Sequence, residues 1–184
     1  LSVARKIQIS NVDGTGITVG VLSDSFNAKG GMSGDIASGE LPASTTVLQD
    51  NIVSGSTDEG RAMAQIVHDV APCASIMFAT AFTGMAAFAS NIVALANAGA
   101  KVIVDDVTYF GETAYQDGPI AQAINQVVQA GAVYFSAAAN NGDNGFEAPF
   151  IDAGLNATLG EHMAKLTTGG TPSLLPLTLK SGAD

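Results

Sequence analysis

Tryptophan is absent from the 184-residue chain, cysteine occurs once, histidine twice, and lysine and arginine together only seven times. Each scarcity removes a class of function. With Cys73 as the single cysteine there is no internal disulfide framework and no thiolate zinc cluster, so a pairing partner would have to lie outside these residues. Seven bases against seventeen acids leave a formal charge of −10, which argues against binding a duplex by neutralising its phosphates. Between Arg61 and Lys165 the only base is Lys101, so no cationic stripe is available for nucleic acid or an anionic membrane. Long apolar runs are missing as well. Residues 70–100 carry no formal charge, but Pro72, Ser75, Thr80, Thr83, Gly84, Asn91 and Asn97 interrupt them. A membrane helix needs ~20 predominantly apolar residues in a row. Arg5–Lys6 is followed by the mixed segment IQISN, not by the apolar stretch of a signal peptide. No nucleic-acid partner and no membrane partner is therefore expected.

What is present is a core-forming composition: 47% hydrophobic residues and 13% charged ones. Domains commonly span ~100–200 residues, so the chain is expected to form one domain or a large piece of one. The segment 17–22 (ITVGVL) is a short β-branched apolar run after the turn NVDGTG and predicts a buried strand. Residues 25–57 are rich in Gly, Ser, Asn and Thr, with room for a second short strand in LPASTTVLQD. Thr57 or Asp58 can cap a helix whose Ala62, Ile66 and Val70 share a face, and Pro72 ends it. SIMFAT, KVIVDD and AVYFSAAA read as further buried strands. Between them lie helices over residues 84–98 and from Pro119 to a stop at Gly131. Strand and helix alternate throughout, which predicts an α/β fold: a mostly parallel sheet in three layers, joined by right-handed crossovers, with helices on both faces. This core runs over residues 15–145. The tail, 146–184, is irregular, with weak strand candidates at MAKLTT and SLLPLTL that could form a hairpin across GGTPS.

In an open parallel sheet, ligands bind beyond the carboxyl ends of the strands. The polar residues delivered there are Asp24, Asp105–Asp106 and Asn140–Asn141, with Asp58–Glu59 at the start of the first long helix, where backbone N–H groups favour a carboxylate. A rim of carboxylates opposed by amide donors is suited to acid–base chemistry. The same residues also have bland readings. Asp24 can cap a loop, Asp58 can be an ordinary N-cap, Asp105–Asp106 can cap the loop that follows, and the asparagines can serve positive-φ turns. Cys73 reads as a small buried hydrophobe. His68 lies about two and a half turns down the helix from Glu59, which favours a structural role.

In serial order these segments resemble the subtilase superfamily, the subtilisin-like serine peptidases and their sedolisin relatives. VGVLSDSF resembles the strand ending in the triad aspartate, which falls on Asp24. DEGRAMAQIVHDVAP occupies the place of the helix that opens with the triad histidine, but carries Glu59 there. KVIVDDVTYF resembles the strand whose end lines the specificity pocket, which puts Asp106 and Thr108 at the substrate. VYFSAAANNGD is similar to the strand leading to the oxyanion-hole asparagine, which falls on Asn140. Glu59 in place of histidine is a sedolisin feature, although sedolisins add an aspartate one turn later, where Met63 stands, and use an aspartate where Asn140 stands. The nucleophile's Gly-Thr-Ser motif does not occur, and Ser173 in GGTPS, flanked by prolines, does not open a helix.

The resemblance implies a truncated subtilisin-like domain that hydrolyses peptide bonds by acyl transfer on a peptide or protein substrate. It would be secreted or extracytoplasmic, and inactive without its nucleophile-bearing segment. Glu59 would be the general base, Asp24 its support and Asn140 the oxyanion donor. No cofactor or metal ligand set is expected, although the loop GDNGFE could hold calcium through oxygen ligands. A sheet cut before its nucleophile helix would leave apolar surface for the tail or a second copy of the chain to cover. A reading from another class also stands: ITVGVLSD resembles the opening strand of periplasmic-binding-like modules, which bind ligands without catalysis.

Overall fold

The computed structural model describes residues 12–112 and 116–140 in full, and the backbone of 152–156, 161–166 and 173–177. Two compact units result, residues 1–140 and 141–184. In the first, five parallel strands are arranged in the order β2-β3-β1-β4-β5. They are β1 (Thr18–Ser23), β2 (Thr46–Gln49), β3 (Ser75–Thr80), β4 (Val102–Asp105) and β5 (Val133–Ser136). The connecting helices are α1 (Met32–Ser38), α2 (Glu59–Val70), α3 (Met85–Asn97) and α4 (Pro119–Gln129). The central strand β1 is buried from Val19 onward, as its near-continuous apolar sequence predicts for a parallel strand covered on both faces.

Alternation along the strands divides the core in two. Val19, Val21, Ile76 and Phe78 face Ala64 on α2, with Met63 and Val67 packed against them. Leu22, Ala79 and Ile103 face Phe88, Ile92 and Leu95 of α3 and Ala123 and Val127 of α4. The three-layer α/β architecture expected from the sequence is thus present, with a parallel sheet covered by helices on both faces.

Three details differ from expectation. Chain steps from β2 to β3, β3 to β4 and β4 to β5 all run the same way across the sheet, yet α2 lies on one face and α3 and α4 on the other. The β2–α2–β3 crossover therefore has the opposite hand to the rest. With right-handed crossovers the strong rule, it is the left-handed one. What holds α2 on that face is its first turn, where the Gly60 amide donates to the Ser25 carbonyl at 3.1 Å and Arg61 Nε donates to the Phe26 carbonyl at 2.9 Å. The second difference follows from the same anchoring. Gly60, Ala64 and His68 form the buried face of α2, while Ile66 and Val70 of the expected stripe stand 66% and 60% exposed. The third is α1, a short helix with no buried residue inside the Gly- and Ser-rich stretch, where no helix was expected.

In the second unit β6 (Asp152–Asn156), β7 (Glu161–Leu166) and β8 (Ser173–Leu177) form an antiparallel sheet. β7 and β8 pair as the hairpin expected there, and β6 is a further strand where irregular structure was expected. Ser173 begins a strand, not a helix, and Pro176 sits on an edge strand, where a missing N–H is tolerated.

Candidate active site

At the carboxyl end of β1 the sequence turns from apolar to polar without leaving the interior: Ser23, Asp24 and Ser25 are all buried. Buried polar atoms need partners, and here they are supplied from the loop that leads into α2. Asp24 Oδ1 accepts the amides of Ser25 and Glu59 at 2.5 and 3.0 Å. Oδ2 accepts the Thr57 amide at 2.6 Å, the Thr57 hydroxyl at 2.8 Å and the Ser25 hydroxyl at 3.0 Å. Burial works against the charged form, but the donors from Thr57 and Ser25 outweigh it and hold the Asp24 carboxyl below its ordinary value. The Asp24 carbonyl is fixed in turn by the Thr80 hydroxyl at 2.7 Å.

Asp58 occupies the N-cap position of α2 without capping it. Its backbone is left-handed (φ 63°), and its side chain makes no cap hydrogen bond. The carboxylate instead reaches back to accept the amides of Ala28 and Lys29 at 2.7 and 3.0 Å and Arg61 Nη2 at 3.0 Å. Burial opposes its ionisation, and the Lys29 amide and Arg61 reverse that, leaving the carboxyl below its usual range. Asp50 does the same for the two preceding amides, of Phe26 and Asn27, at 2.8 and 2.9 Å. Carboxylates thus bind four consecutive loop amides, 26–29.

This loop delivers Glu59 to the carboxyl edge of the sheet. Its amide rests on Asp24, and its side chain is exposed. Gly60 must follow, because a Cβ there would lie 2.3 Å from the Phe78 ring and 2.8 Å from the Ser25 carbonyl.

The end of β4 supplies two acids with different fates. Asp105 is buried and braced by the Tyr134 hydroxyl at 2.6 Å, the Ser136 hydroxyl at 3.0 Å and the Val107 amide at 3.1 Å. It is therefore a loop cap and a tie to β5. Burial, reinforced by the Asp105 charge, pushes the Tyr134 phenol up. Asp106 is half-buried and accepts the Ser23 hydroxyl at 2.9 Å. Desolvation raises its carboxyl to about 6, with the charges of Glu59 and Asp105 adding to the effect. Thr108 lines a cavity of about 230 Å³ with Asp105, Tyr109, Glu112 and Ser136, at the ends of β4 and β5. Asp106 does not line it. A larger groove, about 440 Å³ between α3 and α4, has no titratable side chain in its wall.

Asp24, Glu59, Asp106 and Asn140 all lie at the carboxyl edge of the five-stranded sheet, with Asn140 exposed beyond β5 after Ala139 in a left-handed conformation. His68 sits in the last turn of α2, buried and at the far end from Glu59, so it does not replace the triad histidine. Cys73 is exposed, not buried as expected, because its amide is tied to the Asp13 carbonyl in the turn after α2 and its side chain stays outside. Among the described residues no group of three or more His, Cys, Asp or Glu side chains could hold a metal ion. The loop GDNGFE considered for calcium lies outside the described residues. No helix of the described residues is long and apolar enough to cross a membrane. The residues that sequence reasoning missed are Ser25, Thr57, Asp58 and Asp50 as an interlocking support. The signal for Ser25, Thr57 and Asp58 was the density of Ser, Thr and Asp in SDS and STD, where Thr57 and Asp58 read as helix caps; Asp50, in LQD, carried none.

No protein-family model matches the chain, and no curated protein does. Solved structures that are similar include two of MycP1. MycP1 with its N-terminal propeptide removed is 23% identical with a TM-score of 0.52, covering 82% of this chain and 50% of that one. MycP1 from the ESX-1 type VII secretion system is 21% identical with a TM-score of 0.48, covering 82% and 46%. The chain spans about half the length of these structures, and the first likeness shows a common fold.

Proposed function

We propose that this chain carries the base-bearing part of a subtilase-like serine peptidase that cleaves peptide bonds by acyl transfer. The observation that supports it most is Glu59: an exposed carboxylate opening α2 at the carboxyl edge of the sheet, with its amide seated on a buried aspartate. In this reading a serine hydroxyl, supplied by sequence beyond these 184 residues, transfers its proton to Glu59 as its oxygen attacks the peptide carbonyl carbon. Asn140 donates a hydrogen bond to the oxygen that becomes negative, where a preorganised donor is worth most. Asp24 does not orient the base side chain directly, as a triad aspartate orients an imidazole. It anchors the backbone that presents Glu59, and so acts as a positioning residue. Thr108 and the cavity beside it receive a side chain of the peptide. In this reading the protein is secreted or extracytoplasmic and its substrate is a peptide or protein.

The test is labelling by a fluorophosphonate, which reacts with activated serines. A longer chain containing this segment is expected to label, and its Glu59→Gln variant to label at least about a hundredfold more slowly, as removal of a general base implies. The 184-residue chain itself is expected not to label. A folded longer chain that does not label, or a Glu59→Gln variant that labels at the parental rate, overturns the proposal.

A further inference from the structure

The cavity of about 230 Å³ at the ends of β4 and β5 holds negative charge that nothing in its wall answers. Its apolar wall is Phe88 from α3, Val107 after β4, and Ile120 and Ile124 from α4. The carboxylates of Asp105 and Glu112 also line it, and no lysine, arginine or histidine does. Small-molecule sites typically measure ~300–1,000 Å³, so this one is sized for a single side chain.

Glu112 is fixed in the wall by the first turn of α4. Its Oε1 accepts the amides of Ile120 and Ala121 at 3.2 and 3.1 Å. Gly118 makes the room, since a Cβ there would stand 2.4 Å from Oε1 and 2.9 Å from Oε2. Oε2 is buried and accepts no hydrogen bond. Asp105 is 2% exposed, and its oxygens are taken by the Tyr134 and Ser136 hydroxyls and the Val107 amide. Every one of these donors is neutral. Among the described residues neither acid forms an ion pair, and Lys101 precedes β4 at the opposite end of the strand. A buried acceptor without a partner is costly, and a buried charge without a counter-charge more so. A side chain that ends in a cation relieves both.

We propose that this cavity selects a lysine side chain of the polypeptide substrate, with Glu112 as the residue that sets the specificity. The methylene stem lies against Phe88, Val107, Ile120 and Ile124, the ammonium takes the open oxygen of Glu112, and Asp105 adds its charge. Lysine has the two parts that such a wall requires, an apolar stem and a charged head. A single open oxygen also suits the point charge of an ammonium. The fork pairing of arginine uses both carboxylate oxygens, and α4 already holds Oε1. The proposal deepens the peptidase reading and rests on it for its purpose.

Its test needs no catalysis. n-Butylammonium reproduces the end of a lysine side chain, and n-butanol has the same stem without the charge. Each is titrated into the ¹⁵N-labelled 184-residue chain at neutral pH and followed by NMR at the amides of Thr108, Tyr109, Ile120 and Ser136. Butylammonium is expected to bind at least about tenfold more tightly than butanol, as a charge-assisted contact in a partly dry site implies. In Glu112→Gln, whose side-chain oxygen can still accept the α4 amides, that ratio should fall to about one. The Ile120 and Ala121 signals of the free variant should meanwhile stay where they are in the parent. Equal affinities for the two probes, no shift with either, or an undiminished ratio in Glu112→Gln overturns the proposal. The comparison of probes uses the parent chain alone, so it decides the matter even if Glu112→Gln does not fold. In a longer chain that labels with a fluorophosphonate, a lysine substrate should show a higher kcat/KM than its norleucine counterpart, and Glu112→Gln should abolish the difference. Norleucine cleaved as well as lysine overturns the proposal too. Charge-selective binding without labelling removes only the peptidase reading, and labelling with unselective binding removes only the lysine site.

Discussion

Two oxygens of one carboxylate, on Asp24, take five donated hydrogen bonds from residues on either side of a long loop. A carboxylate has about four lone-pair sites, so this one has no capacity left over. In Asp24→Asn one oxygen becomes an NH₂ facing N–H and O–H donors, and about 2–3 kcal/mol of stability should be lost in urea unfolding at pH 7, the cost of orphaning buried partners of a charged group. The pH dependence has a definite sign. Asp24 and Asp58 have folded values below the ordinary carboxylate range, so their contribution is present at neutral pH and is lost as pH falls through those values. Asp106 works the other way: its contribution is present below the ordinary carboxylate value and disappears as pH rises through about 6. The acid loss should therefore be shallower in Asp24→Asn than in the parent chain. Asp24 was legible in the sequence because it closes an apolar run at a strand end. Its partner Thr57 was not, because 33 residues separate them and nothing local to either predicts the contact.

Among the elements, α2 shows most clearly what periodicity can and cannot reveal. Its length and its stop before Pro72 followed from composition, but its rotation did not. Ala62, Ile66 and Val70 form a convincing apolar stripe, yet the helix turns Gly60, Ala64 and His68 to the sheet because its first turn is bolted to Ser25 and Phe26. The hand of its crossover was hidden for the same reason, since it depends on a contact between segments distant in sequence. Gly60→Ala tests the bolt. The added methyl must displace the Phe78 ring or the strand end, and about 2–3 kcal/mol of destabilisation is expected from overpacking. Differential scanning calorimetry would register it, and a Tm equal to the parent's would show that the close approach is not required. The strands were the easiest elements to read, because parallel strands covered on both faces are apolar almost without interruption. α1 was the hardest: it buries nothing, so it leaves no pattern.

At the scale of the first unit, its described residues cover the sheet on one face and leave it open on the other near the β5 edge. Val133 and Phe135 of β5 are in register with Val102 and Val104, on the α2 side, and stand 51% and 57% exposed. Exposed apolar patches on a strand edge promote association. Replacing both with lysine should lower the self-association of the 184-residue chain in sedimentation velocity, with the circular dichroism unchanged. Equal sedimentation of the two proteins would mean that this face is not where copies meet. The strand order has a further consequence, for the timing of folding. Synthesis makes β1 first, but β1 is the centre of the sheet: Thr18 waits for Ser75 on one side and Val19 for Val102 on the other. No hairpin can form early to shelter it, because every pairing in the sheet is parallel and long in sequence. An emerging chain therefore carries its most continuously buried strand unpaired until more than half of the first unit has been made, which makes the nascent polypeptide, rather than the finished fold, the state most exposed to misassembly.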